Sequence, residues 1–316
     1  MRESVGPERG SGTAAAGEAT YHHEGLLAAT WRQFIRHPGA VAGSIVLILV
    51  VLASVLSFMS PYDPEKSDIQ NRLQPPSWKH LMGTDPLGRD LLTRVLYGGR
   101  ISLFVAVLVV AITLVIGIPV GAISGYFGGW VDNVLMRITD AALTLPSLLV
   151  LILLSAILYE TELPVFERNS PMTIAVVIGL LSWMTVARLV RAGFLAIRER
   201  EFVVAANAVG ASDFRIVVRH ILPNALSPVI VESTLEMGYA IMQESGLSFL
   251  GLGIQPPTPS WGNLLSNAQA HLSPHPWLAI FPGLMIFVTI ISVNYIGDGM
   301  RDALDPHKVL TEVGEV

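Results

Sequence analysis

Few residues in this chain have the type and spacing to do chemistry. Glu232 and Glu236 stand four residues apart, on one face of any helix that carries them, and Glu244 follows eight residues on. Carboxylates so placed either attract a cation in a pathway or pair with a base such as Arg188 or Arg191. All three are pathway or gate candidates. His271 and His275 share the spacing of a helical metal pair, but Pro274 and Pro276 oppose a helix and no third ligand is near in sequence. No metal site is expected. The absence of cysteine excludes disulfides and thiolate metal sites. An ATP-hydrolysing phosphate loop needs glycines leading to Lys and then Ser or Thr. Lys66-Ser67 lacks both glycines, so no catalytic residue is assigned and any ATP chemistry must come from another chain.

The elements that position these residues are long and apolar. The chain has 316 residues, 52% hydrophobic and only 14% charged, where soluble proteins carry roughly a quarter. Its mean hydropathy is +0.56. Charged residues are absent from 38–62, 101–131, 141–159, 169–187 and 245–297. About 20 apolar residues cross the hydrocarbon core as a helix, so an all-α polytopic membrane protein of six spans is expected. The spans fall near 41–59, 101–125, 138–158, 172–192, 225–250 and 277–297. The fifth is the weakest pattern, because Glu232, Glu236 and Glu244 interrupt it. Residues 1–37 read as a mostly disordered tail, 38–60 as the first span and 61–100 as a Pro-rich connection. Residues 101–300 read as a five-helix core and 301–316 as a second tail.

Lys and Arg bias places the termini in the cytoplasm, with Arg188, Arg191, Arg198, Arg200, Arg215 and Arg219 on that side. The 61–100 connection and the Pro-rich stretch at 254–277 then lie outside, where they either cap the bundle or contact an extracytoplasmic partner. No basic patch with interleaved aromatics suggests nucleic acid. Membrane lipid is the expected surrounding. On the second span, Gly117, Gly121 and Gly125 repeat every four residues and let another helix approach closely, within this chain or across a subunit seam.

The segment 193–223 is too long for a simple connection and has its own helical pattern. Phe202, Ala205, Ala206, Val209 and Gly210 share one face of a short helix. Gly210-Ala211-Ser212-Asp213 reads as a helix stop followed by a new N-cap. Phe214 to Ile221, with Arg215 and Arg219 four apart, reads as a second short helix closed by Leu222-Pro223. Such an element on the cytoplasmic face is shaped to enter a groove on a soluble partner.

Val204-Ala205-Ala206, Gly210 and Leu222-Pro223 resemble the cytoplasmic loop motif of ABC importer permeases, with Val204 in place of that family's Glu. The run from Gly83 to Asp90, continuing through Tyr97 to Leu103, resembles the segment before the second span in the dipeptide/oligopeptide/nickel permeases. The run from Glu244 to Gly253, with Gln255-Pro256-Pro257 and Ser260-Trp261-Gly262, resembles their C-type subunit. The resemblance covers roughly residues 30–308. It implies a type I ABC importer permease-like (MetI-like) core in the bacterial inner membrane, importing peptides by alternating access. It implies a homologous B-type permease, two ATPase subunits or a fused pair, and an extracytoplasmic solute-binding protein as partners. ATP and Mg would sit on the ATPase subunits, and this chain would hold no cofactor. By the same resemblance the stretch from Gly210 to Arg219 is the helix that docks on the ATPase. Nickel chelates, glutathione and other small solutes belong to the same family's range. An ion-coupled carrier working alone would need repeat-related halves, and a membrane hydrolase would need a nucleophile–base pair within the spans. Neither pattern is present.

Overall fold

The computed structural model describes residues 26–160 and 170–304; the expected tails lie outside them except where noted below. Among the described residues the protein is helical, with a single isolated bridge between Thr84 and Asp90. Helix α1 (Leu26–Arg36) occupies part of the expected N-terminal tail. Its Phe34 is buried and packs with Ala40 and Ala303, so an apolar face holds this segment in helical form. His37 Nδ1 then accepts a hydrogen bond from Ala40 N at 3.0 Å, and Pro38 opens α2 (Pro38–Val55).

Helix α3 (Leu91–Phe127) starts well before the expected Ile101. Asp90 is the reason. Its carboxylate accepts from Thr93 N at 2.8 Å and Thr93 Oγ1 at 2.7 Å, satisfying donors at the new helix start. The connection therefore spans residues 60–90. The 37 residues of α3 extend about 55 Å, longer than the ~30 Å hydrocarbon core, so the helix projects beyond a bilayer.

The expected third span is two helices, α4 (Gly129–Leu143) and α5 (Ser147–Glu160), bent by 89°. Pro146 stands at the break, where its ring bars the preceding residue from continuing the helix. Helix α6 (Pro171–Ile197) returns along α3, making the most extensive helix–helix contact among the described residues. After the short α7 (Glu201–Ala208) and the turn α8 (Asp213–Arg215), the backbone passes through a π-helix, Ile216–Ile221, directly into α9 (Leu222–Phe249). Leu222-Pro223 thus does not close a helix. Pro223 lies in the first turn of α9, and the wider π-turn before it accommodates a ring that would press on an α-helical carbonyl four residues back. The three glutamates do not interrupt α9. Helices α10 (Trp261–Ala268) and α11 (Trp277–Leu304) complete the bundle.

Among the described residues five helices are long and apolar enough to cross a membrane, and α4 with α5 adds a sixth if the bent pair counts as one span. One apolar cluster joins α3, α6, α9, α10 and α11 around Val105, Ile178, Ile241 and Trp261. A second, around Val190, Phe194, Ile216 and Ile221, lies where α3 and α6 end and α9 begins.

Candidate functional site

At this second end the chain builds a protruding turn. Helix α7 stops in a left-handed cap: Gly210 has φ 81°, Gly210 N donates to Asn207 O at 2.9 Å, and Ala211 N donates to Ala206 O at 3.1 Å. Glycine takes that backbone conformation without a Cβ penalty, which accounts for its place in the expected helix–glycine–helix pattern. Ser212 stands at the next N-cap position, but its side chain makes no capping bond. The expected second short helix is the α8 turn plus the π-helix.

Burial divides this segment into two faces. Val203, Ile216 and Ile221 turn inward onto Val190 and Phe194. Phe202, Val204, Ala205, Val209, Phe214, Arg215 and Arg219 turn outward, Ala206 and Ala211 are half-buried, and Ser212 and Asp213 are exposed. Val209 and Phe214 are 85% and 77% exposed on either side of Gly210. Apolar side chains are thus exposed at a bundle end, beside Arg215 and Arg219. Leu222 is half-buried and Pro223 exposed.

The helices behind this turn are tied together. The three α3 glycines meet α6 of the same chain. A Cβ on Gly117 would stand 2.8 Å from Trp183 O, one on Gly121 would collide with Ala187 O, and one on Gly125 would stand 2.5 Å from Phe194 Cβ. The glycine repeat is therefore an internal seam. Arg191 on α6 holds Asp132 on α4 through one guanidinium edge, Nε donating to Oδ1 at 2.5 Å and Nη2 to Oδ2 at 2.6 Å. Ser124 on α3 donates to the same Asp132 carboxylate. Arg188 pairs with Asp140 at 2.5 Å. Both arginines weighed as partners of Glu232 and Glu236 are thus engaged by α4.

Glu236 is buried, faces the Ser182 hydroxyl on α6, and has one oxygen without a hydrogen-bond partner; Glu232 is half-buried one turn away. Glu244 is fully buried near the opposite end of α9. It accepts from Ser248 Oγ at 2.7 Å and Ser102 Oγ at 2.9 Å. Ser102 Oγ in turn accepts from Trp261 N at 3.3 Å, and Trp261 Nε1 donates to Val95 O at 2.9 Å, so α3, α9 and α10 meet in one polar knot. At that end the 60–90 connection folds over buried pairs, Arg89–Asp85 at 2.7 Å and His80–Asp90 at 2.9 Å, while Trp78, Ile69 and Leu81 are exposed. Among the described residues no cluster of three His, Cys, Asp or Glu is placed to hold a metal.

Sequence reasoning missed Tyr126, Ser124, Asp132 and Ser102. Ser102 lies inside a stretch singled out for its resemblance; the other three carry no spacing signal of their own.

This fold is that of a polytopic membrane protein with a turn exposed at one end of its bundle. Residues 117–309 match the family of binding-protein-dependent transport system inner membrane components, and residues 25–76 match the N-terminal transmembrane domain of oligopeptide transport permease C. A Brucella suis protein named as a peptide permease is 40% identical over 314 residues, covering 98% of this chain and all of that one. The dipeptide transport system permease protein DppC of Alkalihalophilus pseudofirmus is 40% identical, covering 87% of this chain and 88% of its own. The glutathione transport system permease protein GsiD of Pectobacterium atrosepticum is 38% identical, covering 87% and 89%. The inward-facing MetNI methionine ABC transporter shares the fold, with a TM-score of 0.54 at 16% identity over 67% of this chain and 96% of that one. The chain belongs to the binding-protein-dependent permease family, the membrane subunits of ATP-binding-cassette importers.

Proposed function

We propose that this chain forms half of the pathway of an importer for di- or oligopeptides and that its Gly210 turn docks on a partner ATPase. The observation that carries this reading is the exposed Val209–Phe214 turn, whose backbone continues without a break into α9. A membrane subunit without a phosphate loop needs a contact through which ATP-driven movement enters it, and this turn supplies one. The arginine-rich end then faces the cytoplasm, as the Lys and Arg bias indicates. The 60–90 connection and α10 face outward toward a solute-binding protein, with exposed Trp78 and Leu81 available for contact. A homologous B-type permease completes the pathway, and ATP and Mg sit on the ATPase subunits. This chain itself carries out no catalysis.

The peptide assignment is supported by the names of the relatives. Glu232 and Glu236 stay the pathway candidates in this reading, and the bonds from Ser102 and Ser248 support a structural role for Glu244. The test is labelled dipeptide uptake into proteoliposomes holding this chain, its partner permease, the ATPases and the binding protein. Uptake requires ATP on the side of the ATPases. Uptake by this chain alone would contradict the reading in favour of a secondary carrier. Binding-protein-stimulated ATP hydrolysis without dipeptide uptake would keep the machine and assign it another small solute, such as glutathione or a nickel chelate.

A further inference from the structure

We infer that Tyr126 is a positioning residue for energy coupling: its hydroxyl, bonded to Asp213, registers the Gly210 turn against α3 and passes the turn's movement to α3 and the α4 helix tied to it. The inference rests on the docking role proposed above. Tyr126 Oη donates to Asp213 Oδ1 at 2.7 Å, between the last turn of α3 and the first residue of α8. The segment from α7 to the π-helix is joined covalently to α6 at one end and α9 at the other. Helix α3 has no such link. It meets the segment through side chains alone: Tyr126 and Ala122 pack in the cluster that holds Val203, Ile216 and Ile221, and the hydrogen bond adds direction to that apolar contact.

What Tyr126 would move is a connected unit. With no room for a Cβ at Gly117, Gly121 or Gly125, α3 cannot slide along α6 without dislodging side chains or backbone. Ser124, two residues before Tyr126, holds Asp132, which Arg191 also grips, so the same end of α3 carries α4 of the bent pair. Arg198 Nη1 donates to Gly125 O at 3.3 Å, closing the junction from the α6 side. A displaced turn would therefore pull α6 and α9 through the backbone, and α3 with α4 through Tyr126 and its neighbours. A hydrogen bond to a charged acceptor is stronger than a neutral one and is lost without changing the ring's packing when Tyr becomes Phe.

The test uses the full reconstituted complex, measuring assembly by co-purification, binding-protein-stimulated ATP hydrolysis, and peptide taken up per ATP hydrolysed. Tyr126→Phe is expected to assemble and hydrolyse ATP within about two-fold of the unmutated complex, while uptake per ATP falls about five-fold, as for loss of one partly exposed charged hydrogen bond. Asp213 itself lies in the docking turn, so Asp213→Ala is read on uptake per ATP alone: it shows at least the same defect, Asp213→Asn recovers part of it by keeping an acceptor oxygen, and Tyr126→Phe adds no further loss in the Tyr126→Phe/Asp213→Ala double variant. Unchanged uptake per ATP in Tyr126→Phe, or additive losses in the double variant, would overturn the inference. A parallel fall in hydrolysis and uptake would also overturn it, by reducing the bond to a docking aid. Absence of ATP-dependent uptake in the unmutated complex is a different failure, which removes the importer reading and this inference with it.

Discussion

Ser102 on α3 donates its hydroxyl to the fully buried Glu244 carboxylate on α9 at 2.9 Å, joining residues 142 apart in the chain. Ser248 donates to the other carboxylate oxygen at 2.7 Å. Buried carboxylates are costly unless donors surround them, and here serine hydroxyls serve where a cation would otherwise be expected. Glu244→Leu would strand hydroxyls in an apolar site. We expect it to destabilise the bundle by about 2–3 kcal/mol, while Glu244→Gln, which keeps one acceptor oxygen, costs about half as much. Thermal unfolding of the purified permease in detergent checks the order.

The glycine seam gives a second expectation. Gly121→Leu puts a branched side chain against the Ala187 carbonyl, where even a Cβ does not fit. Separation of α3 from α6 should cost about 1–3 kcal/mol and lower the amount of permease in the membrane. Gly129→Ala serves as control, because a Cβ there meets nothing within 4 Å, although its φ of 56° adds some strain. Equal loss in both variants would show that glycine content, not the seam, governs assembly.

The two α4–α6 ion pairs should differ. Arg191 and Asp132 are 33% and 13% exposed and joined through two bonds, whereas Arg188 and Asp140 are about half exposed. Double-mutant cycles to alanine should give a coupling of at most ~1 kcal/mol for Arg188–Asp140 and a larger one for Arg191–Asp132. A reversed ranking would remove Asp132 from the junction at the α3 end.

Hydropathy revealed most of the spans because soluble folds rarely contain charge-free apolar blocks of membrane length. It reports apolar length, however, and not direction, so the bend between Leu143 and Ser147 was invisible inside one apolar block. Arg94 and Arg100 delayed the expected start of α3, since charges read as loop. Arg94 is in fact fully buried, donating to Pro64 O at 2.6 Å beside Asp85 at 3.6 Å. The same bias made α9 look weak, because sequence periodicity cannot show that hydroxyls from α3 and α9 surround Glu244. The Gly210 turn was legible because a left-handed cap demands glycine locally. Tyr126–Asp213 and Asp132–Arg191 were not, since each joins residues far apart in sequence with no shared periodicity. Of the two alternatives weighed for Glu232 and Glu236, the pairing with Arg188 or Arg191 meets competition that their spacing cannot show, because Asp140 and Asp132 on α4 engage those arginines.

If the Gly210 turn couples this permease to its ATPases, a comparison of Gly210→Arg with Gly210→Ala in reconstituted uptake will separate the two variants. A Cβ at Gly210 meets nothing within 4 Å, so an arginine projects onto the docking surface and not into this chain. Both variants bear the left-handed backbone strain, about 1–2 kcal/mol. Gly210→Arg, still assembled with its partner permease in the membrane, should lose ATP-dependent uptake and ATPase association, while Gly210→Ala retains most of both. Uptake by Gly210→Arg at the level of Gly210→Ala would place the coupling contact elsewhere.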